Sequence, residues 1–141
     1  MQSIPETEAE IIEEFSLFDD WMDKYEYIIE LGKSLPLIDE AYKNEEHLIK
    51  GCQSRVWIHA EAQDDRVVFT ADSDAIITKG IVALLIRVLS GQKASEVADA
   101  DLRFIDTIGL KEHLTPTRSN GLLSMVKQMK AFAAGLQKVN G

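Results

Sequence analysis

One stretch, from Ala75 to Leu89, is apolar on nearly every side, and it restricts the possible folds more than any other. Read as a helix, Ile76, Ile77, Ile81, Val82, Leu84, Leu85, Val88 and Leu89 occupy most of its circumference. A surface helix carries one apolar stripe, whereas a helix that is apolar all round has to be covered all round. The stretch is therefore expected to be a buried central helix, capped by Ser73 or Asp74 and ended by Gly91. Gly80 inside it costs up to ~1 kcal/mol against alanine, which points to close packing against a sheet.

The flanking segments supply the cover. Upstream, Ile11, Ile12 and Phe15 give helical spacing within Glu6 to Phe18. Asp19 and Asp20 offer an N-cap to a second helix, whose stripe is Trp21, Tyr25, Ile28 and Ile29 and whose end is marked by Gly32 and Pro36. A short helical turn is expected from Asp39 to Glu46. The period then drops from 3.6 to 2. Val56, Ile58, Ala60 and Ala62 alternate with Trp57, His59 and Glu61, and Val67, Phe69 and Ala71 alternate with Val68 and Thr70. With Asp64-Asp65 between them, these runs predict an antiparallel hairpin.

Downstream of the central helix, Ser95 is expected to cap a short acidic helix, and Leu102 to Ile108 fits either a strand or a turn. Thr115-Pro116 then signals a last helix with the stripe Leu122, Met125, Val126, Met129, Phe132, Ala133 and Leu136. Helices, a small sheet and helices again predict an α+β fold, a small antiparallel sheet packed against helices, in one domain spanning residues 1–141.

Composition bounds the function. A 45% hydrophobic fraction is enough for one sizeable core. The net charge of −9 argues against a phosphate backbone as partner, so no nucleic acid is expected. The apolar runs fall far short of the roughly 20 residues that span a bilayer, so no membrane is expected. Met1 to Glu10 has no cationic start and no apolar core, unlike a signal peptide, and the expected location is cytoplasmic. A single cysteine makes neither an internal disulfide nor a cysteine-rich zinc site, and no metal or cofactor is expected in this chain.

That cysteine, Cys52, sits in Lys50-Gly51-Cys52-Gln53-Ser54-Arg55, on the loop entering the first strand. A free thiol is usually a small buried hydrophobe. Here a glycine, an amide, a hydroxyl and two cations surround it, and cations favour the nucleophilic thiolate. The residues therefore favour a reactive sulfur. Arg118 lies within a turn of a helix N-terminus, the unfavourable end for a cation. It is either a solvated surface arginine or one aimed at an anion near Cys52. Asp72-Ser73-Asp74 follows the second strand. Its acids either cap the central helix or stand at the sheet edge beside the cysteine loop. A cysteine hydrolase would need His47, His59 or His113 to touch Cys52, and none carries a catalytic signature.

Three stretches in register resemble the SufE family of sulfur-acceptor proteins in iron–sulfur cluster biogenesis. They are Gly51-Cys52-Gln53-Ser54-Arg55-Val56-Trp57, then Asp72-Ser73-Asp74-Ala75 with Lys79-Gly80, then His113-Leu114-Thr115-Pro116-Thr117-Arg118-Ser119-Asn120-Gly121-Leu122. The likeness runs from about Trp21 onward. It implies the fold shared with the IscU and NifU scaffolds. It also implies a partner, a cysteine desulfurase of the SufS or CsdA type, which holds the pyridoxal phosphate and offers sulfur as a persulfide. Cys52 would accept that sulfur, with Arg118 and Asp72 or Asp74 matching the family's charged residues near the cysteine. The sulfur would pass to a SufB, SufC and SufD scaffold, and the desulfurase would turn over faster. Such a chain is a sulfur-transfer accessory protein rather than a stand-alone enzyme. No residue separates a SufE from a CsdE role, and a homodimer is compatible with the sequence. Thr117 stands where serine is more usual and Arg55 where glutamine is often found. The competing reading is an adaptor that binds a desulfurase without carrying sulfur, in which Cys52 merely packs.

Overall fold

The computed structural model describes residues 2–51 and 54–140, with side chains to residue 136. Two helices open the chain, α1 (Ile4–Ser16) and α2 (Trp21–Gly32). Two short 3-10 turns, Glu40–Tyr42 and Glu45–His47, follow. Strands β1 (Val56–Gln63) and β2 (Arg66–Ser73) pair antiparallel, from Val56 opposite Ser73 to Gln63 opposite Arg66. The central helix α3 (Ile76–Leu89) leads to a two-residue strand β3 (Gln92–Lys93) on the far side of β2. Helices α4 (Ala94–Asp99), α5 (Phe104–Thr107) and α6 (Pro116–Asn140) complete the α+β fold.

The period-2 pattern decides which face of the hairpin is inside. Val56, Ile58, Val67, Phe69 and Ala71 are buried, whereas Trp57, His59, Val68 and Thr70 lie on the other face and are only half-covered. Helix α3 packs behind the buried face, with nine residues from Thr78 to Leu89 buried, and the core continues into Phe15, Ile28, Leu122 and Met125. Burying one such side chain is worth about 1.5–3 kcal/mol relative to exposure. Helix α1 is tied to α3 by Arg87, which donates to Glu10 at 2.9 Å and Glu14 at 2.6 Å.

Several expectations are corrected. Helix α1 begins earlier than expected, because Ser3 caps it and Glu6 reaches back to the Ser3 N–H in a capping box. Helix α3 has Ala75 at its N-cap without a side-chain cap, since the Asp74 carboxylate is engaged elsewhere. Lys93, not Ser95, is the N-cap of α4, and the ambiguous Leu102–Ile108 stretch holds the short helix α5. Ile76 and Phe132, counted as core, are 65% and 39% exposed. Gly80 packs against helix α2 and not the sheet. A Cβ there would stand 2.0 Å from the Ile28 carbonyl oxygen, and one on Gly32 would stand 2.9 Å from the Gly80 nitrogen.

The two helix backbones can approach this closely only because Gly80 and Gly32 carry no side chain. Gly80→Ala is therefore expected to cost about 3 kcal/mol through overpacking. A urea titration should show the midpoint falling with the slope unchanged. A variant as stable as the parent would show that α2 and α3 separate freely.

Candidate functional site

The hairpin brings the end of β2 beside the start of β1, and the segment containing Cys52 enters there. Cys52 and Gln53 lie outside the described residues. The residues on either side of them are tied down. The Ile49 N–H donates to the Val56 carbonyl at 2.8 Å, and Leu48 bridges Trp57. Ile49 and Val56 therefore stand side by side as a neck, with residues 50–55 between them in sequence. Gly51 has φ +87°, a left-handed conformation that glycine adopts without strain. A Cβ on Gly51 would meet the Ser124 hydroxyl of α6 at 3.1 Å, so Gly51 lies against that helix.

Asp74 belongs to this neck. Its carboxylate accepts the Arg55 N–H at 3.0 Å, and its own N–H donates to the Arg55 carbonyl at 3.2 Å. Ser73 adds a third bond, its hydroxyl donating to the same carbonyl at 2.8 Å. Of the two readings of the Asp-Ser-Asp stretch, local capping and the loop edge, the Asp74 geometry is that of the loop edge.

Asp72 has different partners. It lies opposite Trp57 in the register and takes Lys43 at 2.9 Å and Lys79 at 3.4 Å. Burial works against its charge. The Lys43 hydrogen bond, the Ser73 N–H and the charges of Lys79 and Lys43 outweigh that burial and lower its pKa. The same Lys43 ammonium lies 4.9 Å from the Trp57 ring centroid. Asp72 thus holds two lysines and an indole together, and nothing described brings it to Arg55.

Arg118 stands in the first turn of α6, whose start is capped by the Thr115 hydroxyl accepting the Arg118 N–H at 3.3 Å. It precedes Ser124 by about 9 Å of helix rise. Its Nε is shut off from solvent and has no hydrogen-bond acceptor among the described residues. It pairs with neither Asp72 nor Asp74 there. A buried donor left without an acceptor costs about 1–3 kcal/mol. Sequence reasoning missed Ser124 and Lys43. Only the sheet register and the packing of α6 bring them to this region, and no local motif marks them.

Among the described residues, no group of three or more histidine, cysteine, aspartate and glutamate side chains is placed to hold a metal, and no helix is long and apolar enough to cross a membrane.

The SufE family, described as an Fe-S metabolism associated domain, matches residues 9–133. The chain belongs to the SufE family. An uncharacterized SufE-like protein of Rhizobium meliloti is 43% identical over 131 residues, covering 89% of this chain and 94% of that protein. SufE-like protein 1 of Arabidopsis thaliana, named chloroplastic/mitochondrial, is 37% identical over 138 residues; it covers 97% of this chain, which spans 37% of the plant protein. A hypothetical protein of Thermus thermophilus, solved in solution, superposes with a TM-score of 0.78 over 94% of this chain and 96% of that one. At 20% identity it supports the fold alone. Membership of the SufE family assigns the chain to iron–sulfur metabolism as a sulfur-related accessory protein.

The lowered pKa of Asp72 predicts a pH dependence. A depressed carboxylate adds stability above its unfolded pKa and loses it as pH falls through the folded value. Asp72→Asn is expected to be less stable than the parent at pH 7, with the gap closing below about pH 4. Denaturant midpoints across that range measure it, and a gap independent of pH would refute the ion-pair account.

Proposed function

We propose that this chain accepts sulfane sulfur on Cys52 from the persulfide of a pyridoxal-phosphate-dependent cysteine desulfurase and carries it toward iron–sulfur cluster assembly. The partner would be of the SufS or CsdA type, and the recipient a SufB, SufC and SufD scaffold. The desulfurase turns over faster because its persulfide is discharged. In a cell the exchange takes place in the cytoplasm.

The observation that carries this reading is how the residues flanking the chain's one cysteine are fixed. On one side Gly51 lies against Ser124 of α6, and on the other Arg55 is bonded to Asp74 and Ser73. The Cys52 thiolate attacks the outer sulfur of the partner's persulfide. One S–S bond forms at Cys52, the S–S bond on the partner breaks, and the partner's thiolate leaves. Two electrons move within the exchange, so no oxidant is needed. The Arg118 Nε, which has no acceptor among the described residues, supplies a donor for the anionic sulfur, and burial strengthens that interaction. Asp74 acts on the backbone and keeps the segment's exit in place. Exposed Ile76, two residues after Asp74, and exposed Leu123, beside Ser124, offer apolar contact to the docking desulfurase.

The direct test is to incubate the pure chain with a cysteine desulfurase and free cysteine, then weigh it. A gain of one sulfur atom on the peptide containing Cys52 is expected. Cys52→Ser should abolish that gain while the complex still forms; an unchanged gain would sink the proposal in favour of the adaptor reading. Arg118→Ala should slow the transfer by at least about tenfold, the scale of one hydrogen bond to a charged group, with docking preserved. Single-turnover labelling with radioactive cysteine would measure it, and an unaltered rate would remove Arg118 from the site.

A further inference from the structure

The outer face of the hairpin carries a chain of side chains that sulfur transfer does not use. Asn44, His47, His59 and Glu61 are linked in series. The Asn44 Oδ1 contacts the His47 Nδ1 at 2.9 Å, the His47 Nε2 contacts the His59 Nδ1 at 3.0 Å, and the His59 Nε2 contacts Glu61 at 3.1 Å. The two ends determine where the ring protons sit. Asn44 donates through its Nδ2 to the Ala41 carbonyl and accepts the Glu46 N–H on its Oδ1, so the oxygen faces His47. That oxygen only accepts, so the His47 Nδ1 carries a hydrogen. The Glu61 carboxylate also only accepts, so the His59 Nε2 carries one too.

The two inner nitrogens, the His47 Nε2 and the His59 Nδ1, are then both bare when the rings are neutral. They face each other at 3.0 Å, lone pair against lone pair. Only a cation between them makes this arrangement favourable. Tyr42 stacks on His59 with centroids 3.9 Å apart and planes 5° from parallel, which fixes the ring's orientation. Glu61 and the acidic residues of the adjoining turns, Glu40, Glu45 and Glu46, add negative charge that attracts a cation.

We propose that this pair is a binding site for a divalent transition-metal ion of the kind that takes imidazole, held by the His47 Nε2 and the His59 Nδ1. With metal–nitrogen bonds of about 2.1 Å, a separation of 3.0 Å subtends an angle of about 90° at the ion. That angle belongs to square or octahedral ligand sets, as of nickel or copper, more than to a tetrahedron. Each ligand has its outer nitrogen anchored on an oxygen, the outer-shell support that metal-binding histidines have. His47 is only half-buried, and an adjoining cleft of about 390 Å³, walled by Asp39, His59, Glu61 and Thr70, leaves room for water on the remaining positions.

The ion would also act mechanically. His47 immediately precedes the Leu48–Trp57 bridge, and His59 follows two residues beyond it. A metal joining them fastens the two limbs of the neck at Ile49 and Val56. The proposal stands whether or not Cys52 carries sulfur.

The test is equilibrium dialysis of the full-length, untagged chain against Ni²⁺, in a Cys52→Ser background that removes the thiol as a rival ligand. One nickel per chain is expected. His47→Gln and His59→Gln should each abolish retention, His113→Gln should leave it intact, and Glu61→Gln should weaken it by roughly 10- to 100-fold. Circular dichroism verifies that the variants fold, and slower exchange of the Ile49 amide on adding nickel reads the neck directly. No retained nickel, or retention indifferent to both His47→Gln and His59→Gln, would overturn the proposal. So would a shared proton as the sole occupant between the rings.

Discussion

Helix α3 has almost no polar side, and the rest of the fold follows from the need to cover it. The buried face of β1 and β2 closes one flank and α2 closes another. Helices α1 and α6 complete the shell, with Phe15, Leu122 and Met125 joining one continuous core. The tightest part of this cover is the α2–α3 crossing, where the Gly80 backbone lies against Ile28 and Gly32. Close packing of this kind is intolerant of added volume. A fully covered helix also leaves its own N-terminal end as the place where loops can gather. That end follows Asp74, where the hairpin finishes beside Arg55, the last residue of the cysteine segment.

The sheet register turns this geometry into a site. Val56 pairs with Ser73, so Arg55 and Asp74 are neighbours by construction, and their main chains exchange hydrogen bonds through and around the Asp74 side chain. A one-residue slip would move Trp57, His59 and Asp72 to the core face and break that contact. The two aspartates that looked equivalent in the sequence therefore do different work. Asp74 secures the main chain of the thiol segment. Asp72 neutralises Lys43 and Lys79 on the outer face and keeps Lys43 over Trp57.

Much of this was legible beforehand, for physical reasons that differ by element. The hairpin and the long helices carry strong periodicity, and burial enforces periodicity residue by residue. The Asp20 and Thr115 caps were readable because their bonds are local. Strand β3 was not, since two residues show no period, and Gln92 is held there by β2 and by a bond to the Gln2 carbonyl. Gly80 showed that something approaches closely but not what; its neighbour, α2, is about fifty residues away in sequence. Ile76 was miscounted because helix periodicity says nothing about where the cover ends. In the site, Arg118 and both aspartates were visible as misplaced or clustered charges, whereas Ser124 and Lys43 carry no local sign of their role.

The histidines show the same limit from the other side. In the sequence, His47 and His59 were weighed only as partners for the thiol, and the strand direction carries His59 away from it. Their relation to each other appears only when the 3-10 turn after Asn44 folds back along β1, setting residue 47 beside the Leu48–Trp57 bridge. The paired imidazoles then flank the Leu48–Trp57 bridge. An ion between them would join the two limbs of that neck. Its effect there would be mechanical, carried by the Ile49–Val56 bond and the Arg55–Asp74 pair. Both lie within a few residues of the thiol.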